Sequence, residues 1–87
     1  MKGDYRIQVI RKLYPASNRN VLDQTLVKRE EEYFVVSTVG LPAKNGGGFE
    51  TLVFPADKNG EIKDWLEVAG GRGMSQQDAI EHLAEVR

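Results

Sequence analysis

The chain contains no cysteine among its 87 residues, and this absence removes several kinds of chemistry at once. Disulfide frameworks, thiolate nucleophiles and zinc–thiolate sites all need cysteine, so none of them is predicted. A chain of this length buries only about 60 to 65% of the surface that its unfolded form exposes. We therefore predict one domain over residues 1–87, stabilised by a small hydrophobic core alone or with the help of self-association.

Long apolar runs and strongly basic segments are also scarce. No stretch approaches the roughly 18 apolar residues of a membrane-spanning helix, and the start MKGDYRIQVI lacks the apolar core of a signal peptide. Lys and Arg number 12 against 13 Asp and Glu, which gives a formal net charge of -1. Nucleic-acid affinity depends chiefly on clustered Lys and Arg. We expect a cytoplasmic protein that binds neither membranes nor nucleic acid.

Hydrophobic alternation predicts four β-strands, near residues 5–13, 22–29, 33–41 and 49–55. The second segment also has helical spacing, and we favour a strand because the β-branched and aromatic run that follows would pair with it. Glu30 to Glu32 would form a solvated turn between them. In the first strand, one side is expected to carry the apolar residues Tyr5, Ile7, Val9 and Leu13.

The C-terminal part of the chain predicts one helix over residues 75–86. Ser75 is a typical N-cap, and Asp78, three residues later, completes a capping-box pattern. An apolar stripe follows at helical spacing, made of Ala79, Ile80, Leu83 and Val86. The fold class is therefore α+β, a small meander-like antiparallel sheet of three to five strands with this helix packed on it. Residues 62–68 are expected to be a short strand or irregular, and residues 69–73 a glycine-rich connection.

One segment has the features of a binding site. The run Gly70 to Ser75 leads into the helix N-terminus, where free N–H groups favour an anion and Arg72 could bind phosphate or carboxylate. Gly71, Gly73 and Ser75 would contribute backbone to that site. The spacing matches neither the P-loop nor the dinucleotide fingerprint, so the simpler interpretation is a glycine-rich turn with a surface arginine.

Three further features each have a simpler explanation beside a functional one. Trp65 could complete the core, which we favour, or anchor a partner interface. His82 lies one helical turn after Asp78, so we expect a surface pair rather than a catalytic base. The segment Asp57 to Gly60 resembles part of a calcium loop, but its ligand count is too low, and a tight turn is predicted. No catalytic residue, metal or cofactor is predicted.

The central hairpin resembles a family of short proteins of bacteriophages and prophages, found in actinobacteria and other bacteria, with no established activity. The matching residues are Gln24, Thr25, Tyr33, Phe34, Val36, Ser37, Thr38, Val39, Leu41 and the run Phe49 to Phe54. Arg72 fits an Arg-containing segment that the family has before its C-terminal helix, and Ser75 and the triplet Asp78 to Ile80 fit the start of that helix. The resemblance covers about two-thirds of the chain and implies a shared hairpin-plus-helix fold.

These observations favour a small non-enzymatic protein that binds another macromolecule. The resemblance implies a host protein as the partner, with inhibition of a host or defence protein as one form of that role, in the host cytoplasm. Exposed sheet edges, especially residues 5–13, could instead pair two copies. The alternative is a small-ligand or nucleotide binder that uses the Gly70 to Ser75 helix entrance with Arg72. An enzyme is the least favoured class, since no convergent set of polar residues is visible.

Overall fold

The computed structural model describes residues 6–14 and 20–86, and within them the chain forms one five-stranded sheet and one α-helix. The elements are β1 (Ile7–Lys12), β2 (Val21–Arg29), β3 (Glu32–Gly40), β4 (Phe49–Ala56), β5 (Ala69–Arg72) and α1 (Gln76–Glu85), with a short 3-10 turn at Ala43–Asn45. The strands are antiparallel and follow one another in the order β1-β2-β3-β4-β5. The predicted α+β meander is confirmed, and residues 21–29 are a strand.

β3 is the centre of the sheet and is buried on both faces. Val36 pairs with Thr25 of β2 on one side and with Val53 of β4 on the other. Successive side chains of a strand point to opposite faces, so the β-branched run of β3 supplies two hydrophobic clusters. On the face under α1, Val27, Phe34, Val36, Val53 and Ala69 of the sheet pack with Ala79 and Leu83 of the helix. The far face carries Leu26, Val35 and Ala56, with Leu13, Tyr33 and Ile62 packed against them.

The first strand differs from the sequence prediction. A β-bulge between Val9 and Arg11 adds one residue to β1, and an extra residue exchanges the faces of the side chains that follow. Leu13 therefore packs on the far face, whereas Ile7 packs on the α1 face. Val9 precedes the bulge, opposite Val27, and is 58% exposed. The prediction that these residues share one buried side is wrong. Tyr5 lies outside the described residues.

The glycine-rich connection predicted over residues 69–73 is also wrong, because most of it forms strand β5. β5 pairs with β4 so closely that a Cβ atom on Gly70 would lie 2.1 Å from the carbonyl oxygen of Thr51. Gly70 also has φ of +106°, which L side chains rarely adopt. Glycine here permits a close strand pairing, not a turn. Residues 63–68 are irregular, after an isolated bridge from Ile62 to Ala56.

The start of α1 is fixed by a capping box and a ladder of polar side chains. Ser75 Oγ accepts the backbone N–H of Asp78, whose carboxylate accepts the N–H of Ser75, as predicted. The ladder joins α1 to three strands through Thr25, Gln76, Thr38, Thr51 and the carbonyl oxygen of Met74. Thr51 donates its proton to Met74, so in the Thr38–Thr51 pair, 2.6 Å apart, Thr38 must be the donor.

The end of α1 is held by Arg29 of β2. Its Nη1 atom donates to the carbonyl oxygens of Leu83 at 3.1 Å and Val86 at 2.8 Å. Its guanidinium also lies over the ring of Phe34, 5.1 Å from the centroid, and Nη2 is 3.4 Å from Glu32. The last carbonyls of a helix lack intrahelical hydrogen-bond donors and carry partial negative charge. A guanidinium at this place donates the missing hydrogen bonds and also neutralises the charge.

Candidate functional site

A bulge over residues 63–68 stands out between β4 and β5. The N–H of Lys63 donates to the carbonyl of Pro55, and the N–H of Val68 donates to the carbonyl of Val53, each at 2.8 Å. The two acceptors are two residues apart on β4, whereas the two donors are five residues apart. The intervening chain cannot lie flat along β4 and is pushed outward. We call residues 63–68 the 63–68 bulge.

A tight turn at Asp57 precedes the 63–68 bulge in the chain. The carboxylate of Asp57 accepts the backbone N–H groups of Glu61 at 3.0 Å and Asn59 at 2.9 Å. Hydrogen bonds to the charged form lower the pKa of Asp57, and the bond from Glu61 is the largest cause. The turn predicted over Asp57 to Gly60 is confirmed, and it closes with a bond from the N–H of Gly60 to the carbonyl of Asp57.

The 63–68 bulge presents two large apolar side chains to solvent. Trp65 is 71% exposed and Leu66 is 73% exposed. They are nonetheless held in place: the Trp65 ring meets Phe54 edge-on at 5.2 Å between centroids, and Asp64 Oδ1 accepts the N–H of Leu66 at 3.1 Å. The prediction that Trp65 completes the core is wrong. Its place on the bulge is the reason, since the bulge carries it outward from the sheet.

A groove of about 180 Å³ lies beside the 63–68 bulge, at the end of the sheet where α1 terminates. Its walls come from β2, β3, β4, α1 and the bulge itself, and they include Arg29, Phe34, Pro55, Lys63, Val68 and Val86. The lining is mostly apolar, and its charged members are Arg29, Glu32 and Lys63, of which Arg29 and Glu32 are paired with each other at 3.4 Å. Lys63 and Val68 belong to both the bulge and the groove wall. The groove opens on the α1 face beside Phe34 and Leu83, whereas Trp65 packs on Phe54, which pairs with Val35 of the far face.

The helix entrance has a different geometry from the one expected of an anion site. The carboxylate of Asp78 lies at the N-terminus of α1, where an anion would have to bind, and its negative charge opposes a second one. Arg72 lies opposite Glu50 in the β4–β5 pairing, and its Nη2 donates to the carbonyl of Asn45 at 2.7 Å. Gly71 of β5 pairs with Thr51 of β4. The small-ligand hypothesis stays a prediction, without support from this arrangement.

The candidate residues of the sequence do not form one cluster. Trp65 contacts Phe54, whereas Arg72 pairs with Glu50, four residues and about 13 Å away along β4. Gly73 donates its N–H to the carbonyl of Phe49, also at the distant end. Ser75 caps α1 as described above. The sequence interpretation missed Leu66 and the groove, although an adjacent Trp–Leu pair between acidic residues was a visible signal.

His82 has a structural partner. Its Nδ1 atom accepts the backbone N–H of Gly70 at 3.0 Å, so the proton of the neutral ring lies on Nε2. Asp78 is engaged in the capping box, so the two members of the predicted Asp78–His82 pair each have other partners. This hydrogen bond joins α1 to the outer edge of β5, the last strand of the sheet. It also occupies an N–H that could otherwise pair with a strand of another chain.

Two kinds of site are missing from residues 6–14 and 20–86. No group of three or more His, Asp or Glu side chains lies close enough together to hold a metal ion. No helix in this part of the chain is long and apolar enough to cross a membrane. Every buried side-chain nitrogen and oxygen of the described residues has a hydrogen-bond partner, so none is left aimed at an unfilled site.

No protein-family model, curated protein or solved structure matches this chain. The resemblance to bacteriophage proteins therefore stays a prediction. The 63–68 bulge is the part of the described structure with the clearest features of a binding site.

Proposed function

We propose that this protein is non-enzymatic and acts by binding another protein through the 63–68 bulge. The observation that carries the proposal is the pair Trp65 and Leu66, 71% and 73% exposed on a segment fixed at both ends by hydrogen bonds to β4. Tryptophan is enriched among the residues that dominate protein–protein affinity. A fixed segment also loses little conformational freedom on binding, so more of the contact energy remains as affinity.

The charges around the bulge define the chemistry of its partner. Asp64 precedes Trp65 and Glu67 follows Leu66, so the apolar pair is flanked by acidic side chains. A complementary surface has an apolar pocket with a basic rim. The resemblance to bacteriophage proteins favours a bacterial host protein in the cytoplasm as the bearer of this pocket, and blocking that protein's activity as the consequence.

The non-enzymatic part of the proposal follows from how the polar side chains are used. The threonines of the interior and Gln76 are engaged in the ladder under α1, and His82 accepts a backbone N–H. A catalytic centre needs polar groups that converge on an open space and remain available to a substrate. Here the interior polar groups serve to position α1 on the sheet.

The test is an affinity capture from bacterial lysate with a double variant, Trp65→Ser with Leu66→Ser. The matched control is Leu22→Ser, because Leu22 is also an exposed leucine, at 63%, and is remote from the 63–68 bulge in β2. We expect wild type and the control to retain the same host protein and the double variant to lose it by more than tenfold, as for a hot spot worth about 2 kcal/mol. Thermal melting of all three proteins establishes that each is folded. Equal retention by the double variant would contradict the proposal.

A further inference from the structure

We propose that the outer edge of β1 is a second binding surface, which takes a short, extended, acidic segment of a partner protein as an added strand of the sheet. In this mode of recognition, backbone hydrogen bonds hold the incoming strand and side chains select its sequence. β2 and β3 lie between β1 and β4, the strand from which the 63–68 bulge projects. The edge of β1 and the bulge are therefore two separate surfaces.

The edge of β1 is the one that the described fold leaves open. The sheet has two edge strands, β1 and β5. β5 has only four residues, and His82 accepts the N–H that Gly70 directs away from the sheet. β1 has six residues, about 20 Å of strand, and no other strand within residues 6–14 and 20–86 pairs with its outer side. The unpaired backbone groups of such an edge are a template for a further strand.

The backbone of β1 also sets the length of strand that it can accept. Residues of an antiparallel strand alternate between those that bond to one neighbour and those that point to the other side. The N–H of Leu13 donates to the carbonyl of Gln24 at 3.0 Å, so the backbone groups of Lys12 point away from β2. The β-bulge between Val9 and Arg11 interrupts this alternation. A short extended segment therefore fits this edge better than a long regular strand.

The charge of β1 defines the chemistry of that segment. Residues 6–14 contain Arg6, Arg11 and Lys12 and no acidic residue, and all three cationic side chains are exposed. Lys12 is paired with Asp23, whereas Arg11 makes one hydrogen bond, to the carbonyl of Asn59. A guanidinium has five N–H donors, so Arg11 keeps donors for a carboxylate of an incoming strand. Arg6 and Arg11 give the edge a positive charge that an acidic strand complements.

The same charges favour an acidic segment over a second copy of β1. Pairing the edges of two copies would bring Arg6, Arg11 and Lys12 of one copy beside the same cations of the other. Like charges on neighbouring strands destabilise their pairing, and cations on an edge strand are a common protection against association of identical edges. A strand with carboxylates in these places turns the repulsion into attraction.

Two exposed apolar side chains extend the description of the partner. Val9 is 58% exposed and Ile10 is 38% exposed, and both lie in the middle of β1. Side chains of adjacent strands lie side by side on each face of a sheet, so a strand added to β1 covers the flanks of these two residues. The complementary segment therefore carries β-branched residues between its acidic ones.

The test uses a synthetic peptide of about seven residues in which Glu and Val alternate, with both ends capped and a fluorophore attached. Fluorescence anisotropy at low ionic strength measures its binding to the whole protein. We expect saturable binding, and we expect no binding when Lys replaces every Glu of the peptide. A peptide with the same side chains and a methyl group on every backbone nitrogen should lose more than tenfold in affinity, because it cannot donate backbone hydrogen bonds.

Charge reversal on the protein gives the complementary test. Arg6→Glu with Arg11→Glu is expected to raise the peptide Kd by more than tenfold. The matched control is Lys44→Glu with Lys63→Glu, which changes the net charge equally at exposed residues on the connections after β3 and β4. This control is expected to change the Kd by less than about twofold, apart from the long-range effect of net charge that salt removes. Thermal melting establishes that both double variants are folded.

Each outcome supports or overturns the edge as a strand-binding site. Absence of saturable binding overturns it, and so does equal binding of the methylated peptide or an equal loss in the control variant. A single-stranded oligonucleotide that displaces the peptide and binds more tightly also overturns it, because the surface is then a general anion site. The double variant of Trp65 and Leu66 is expected to leave the peptide Kd unchanged. If the peptide fails to bind while host-protein capture depends on Trp65 and Leu66, the proposed function stands and the edge site is overturned.

Discussion

Arg29 should be one of the most important single residues for stability, although it is charged and lies at the end of a strand. Its side chain is only 12% exposed, and Nη1 donates to the carbonyls of Leu83 and Val86. Arg29→Met keeps an unbranched apolar stem in the same space but removes the donors and the charge. The change therefore isolates the polar contribution of Arg29 from its packing.

The magnitude can be worked out from the contacts. A hydrogen bond to a charged group contributes about 1.5 to 3 kcal/mol, and the contact between the guanidinium and the Phe34 ring adds about 0.5 to 2 kcal/mol. Water can replace part of the loss, because carbonyls at a helix end can be hydrated. We expect a decrease of about 3 kcal/mol in the free energy of unfolding. At about 4 to 8 °C per kcal/mol, the melting temperature falls by about 12 to 24 °C.

Urea denaturation followed by circular dichroism measures this change, with Lys12→Met as the matched control. Lys12 and Asp23 form an ion pair at 2.6 Å with half-exposed side chains, and such pairs contribute less than about 1 kcal/mol. Arg29→Lys should be intermediate, because an ammonium keeps the charge but lacks the planar fork. If Arg29→Met and Lys12→Met cost the same within about 0.5 kcal/mol, the idea that Arg29 caps α1 is refuted.

Three further changes test the contacts that hold β5 and the turn before the bulge. Gly70→Ala should cost more than about 2 kcal/mol in urea denaturation, because its Cβ would lie 2.1 Å from the carbonyl oxygen of Thr51; a neutral result would contradict the close pairing. His82→Leu should cost about 1 to 3 kcal/mol by leaving the Gly70 N–H without its acceptor, and His82→Gln should recover part of the loss. Hydrogen bonds, chiefly from the N–H of Glu61, lower the pKa of Asp57 from 3.8. The ionised carboxylate therefore stabilises the fold above pH 3.8, and this stabilisation is lost as the pH falls through the folded-state pKa. Asp57→Ala should flatten the acid limb of a plot of stability against pH, and an unchanged slope would argue against the turn contact.

The sequence predicted the centre of the fold because side-chain type determines that part. Residues 33–41 carry β-branched and aromatic side chains on both faces, a pattern that only a central strand can bury, and Val35 and Val36 are indeed both fully buried on opposite faces. The capping box was predicted for the same reason, since Ser75 and Asp78 act within a few residues of each other.

β5 was missed because its pairing depends on the lack of side chains. Glycines in a sequence indicate a turn unless the close approach of another strand is known, and that approach arises from the tertiary structure. The bulge in β1 was missed for a related reason. One extra residue in a strand moves the side chains after it to the opposite face of the sheet. Whether Leu13 lies on the same face as Ile7 therefore depends on how β1 pairs with β2.

The sequence identified Trp65 as a candidate residue of the site but could not predict its exposure. Sequence identifies Trp65 as a residue that can fill a core or anchor a partner, but its exposure depends on the spacing of two backbone hydrogen bonds. Lys63 and Val68 bond to carbonyls two residues apart on β4, and the surplus chain carries Trp65 outward. A shorter connection would have laid the same residue against the sheet. The position of this candidate binding surface is therefore a property of the β4–β5 connection, not of residue type.

The exposure of Trp65 gives an energetic argument for the proposed function. A tryptophan carries about 200 Å² of surface that burial can cover, so at 71% exposure about 140 Å² remains in water. At about 25 cal/mol per Å², the monomer forgoes about 3.5 kcal/mol, which is a large fraction of the stability of a small domain. The contact with Phe54 and the bond from Leu66 to Asp64 hold the ring where the fold itself does not cover it. The isolated chain does not gain this burial free energy, and the ring is already in a fixed place. A partner that covers the ring therefore gains that free energy with little loss of conformational entropy. We therefore propose that binding, rather than folding, is the process that buries the exposed surface of Trp65.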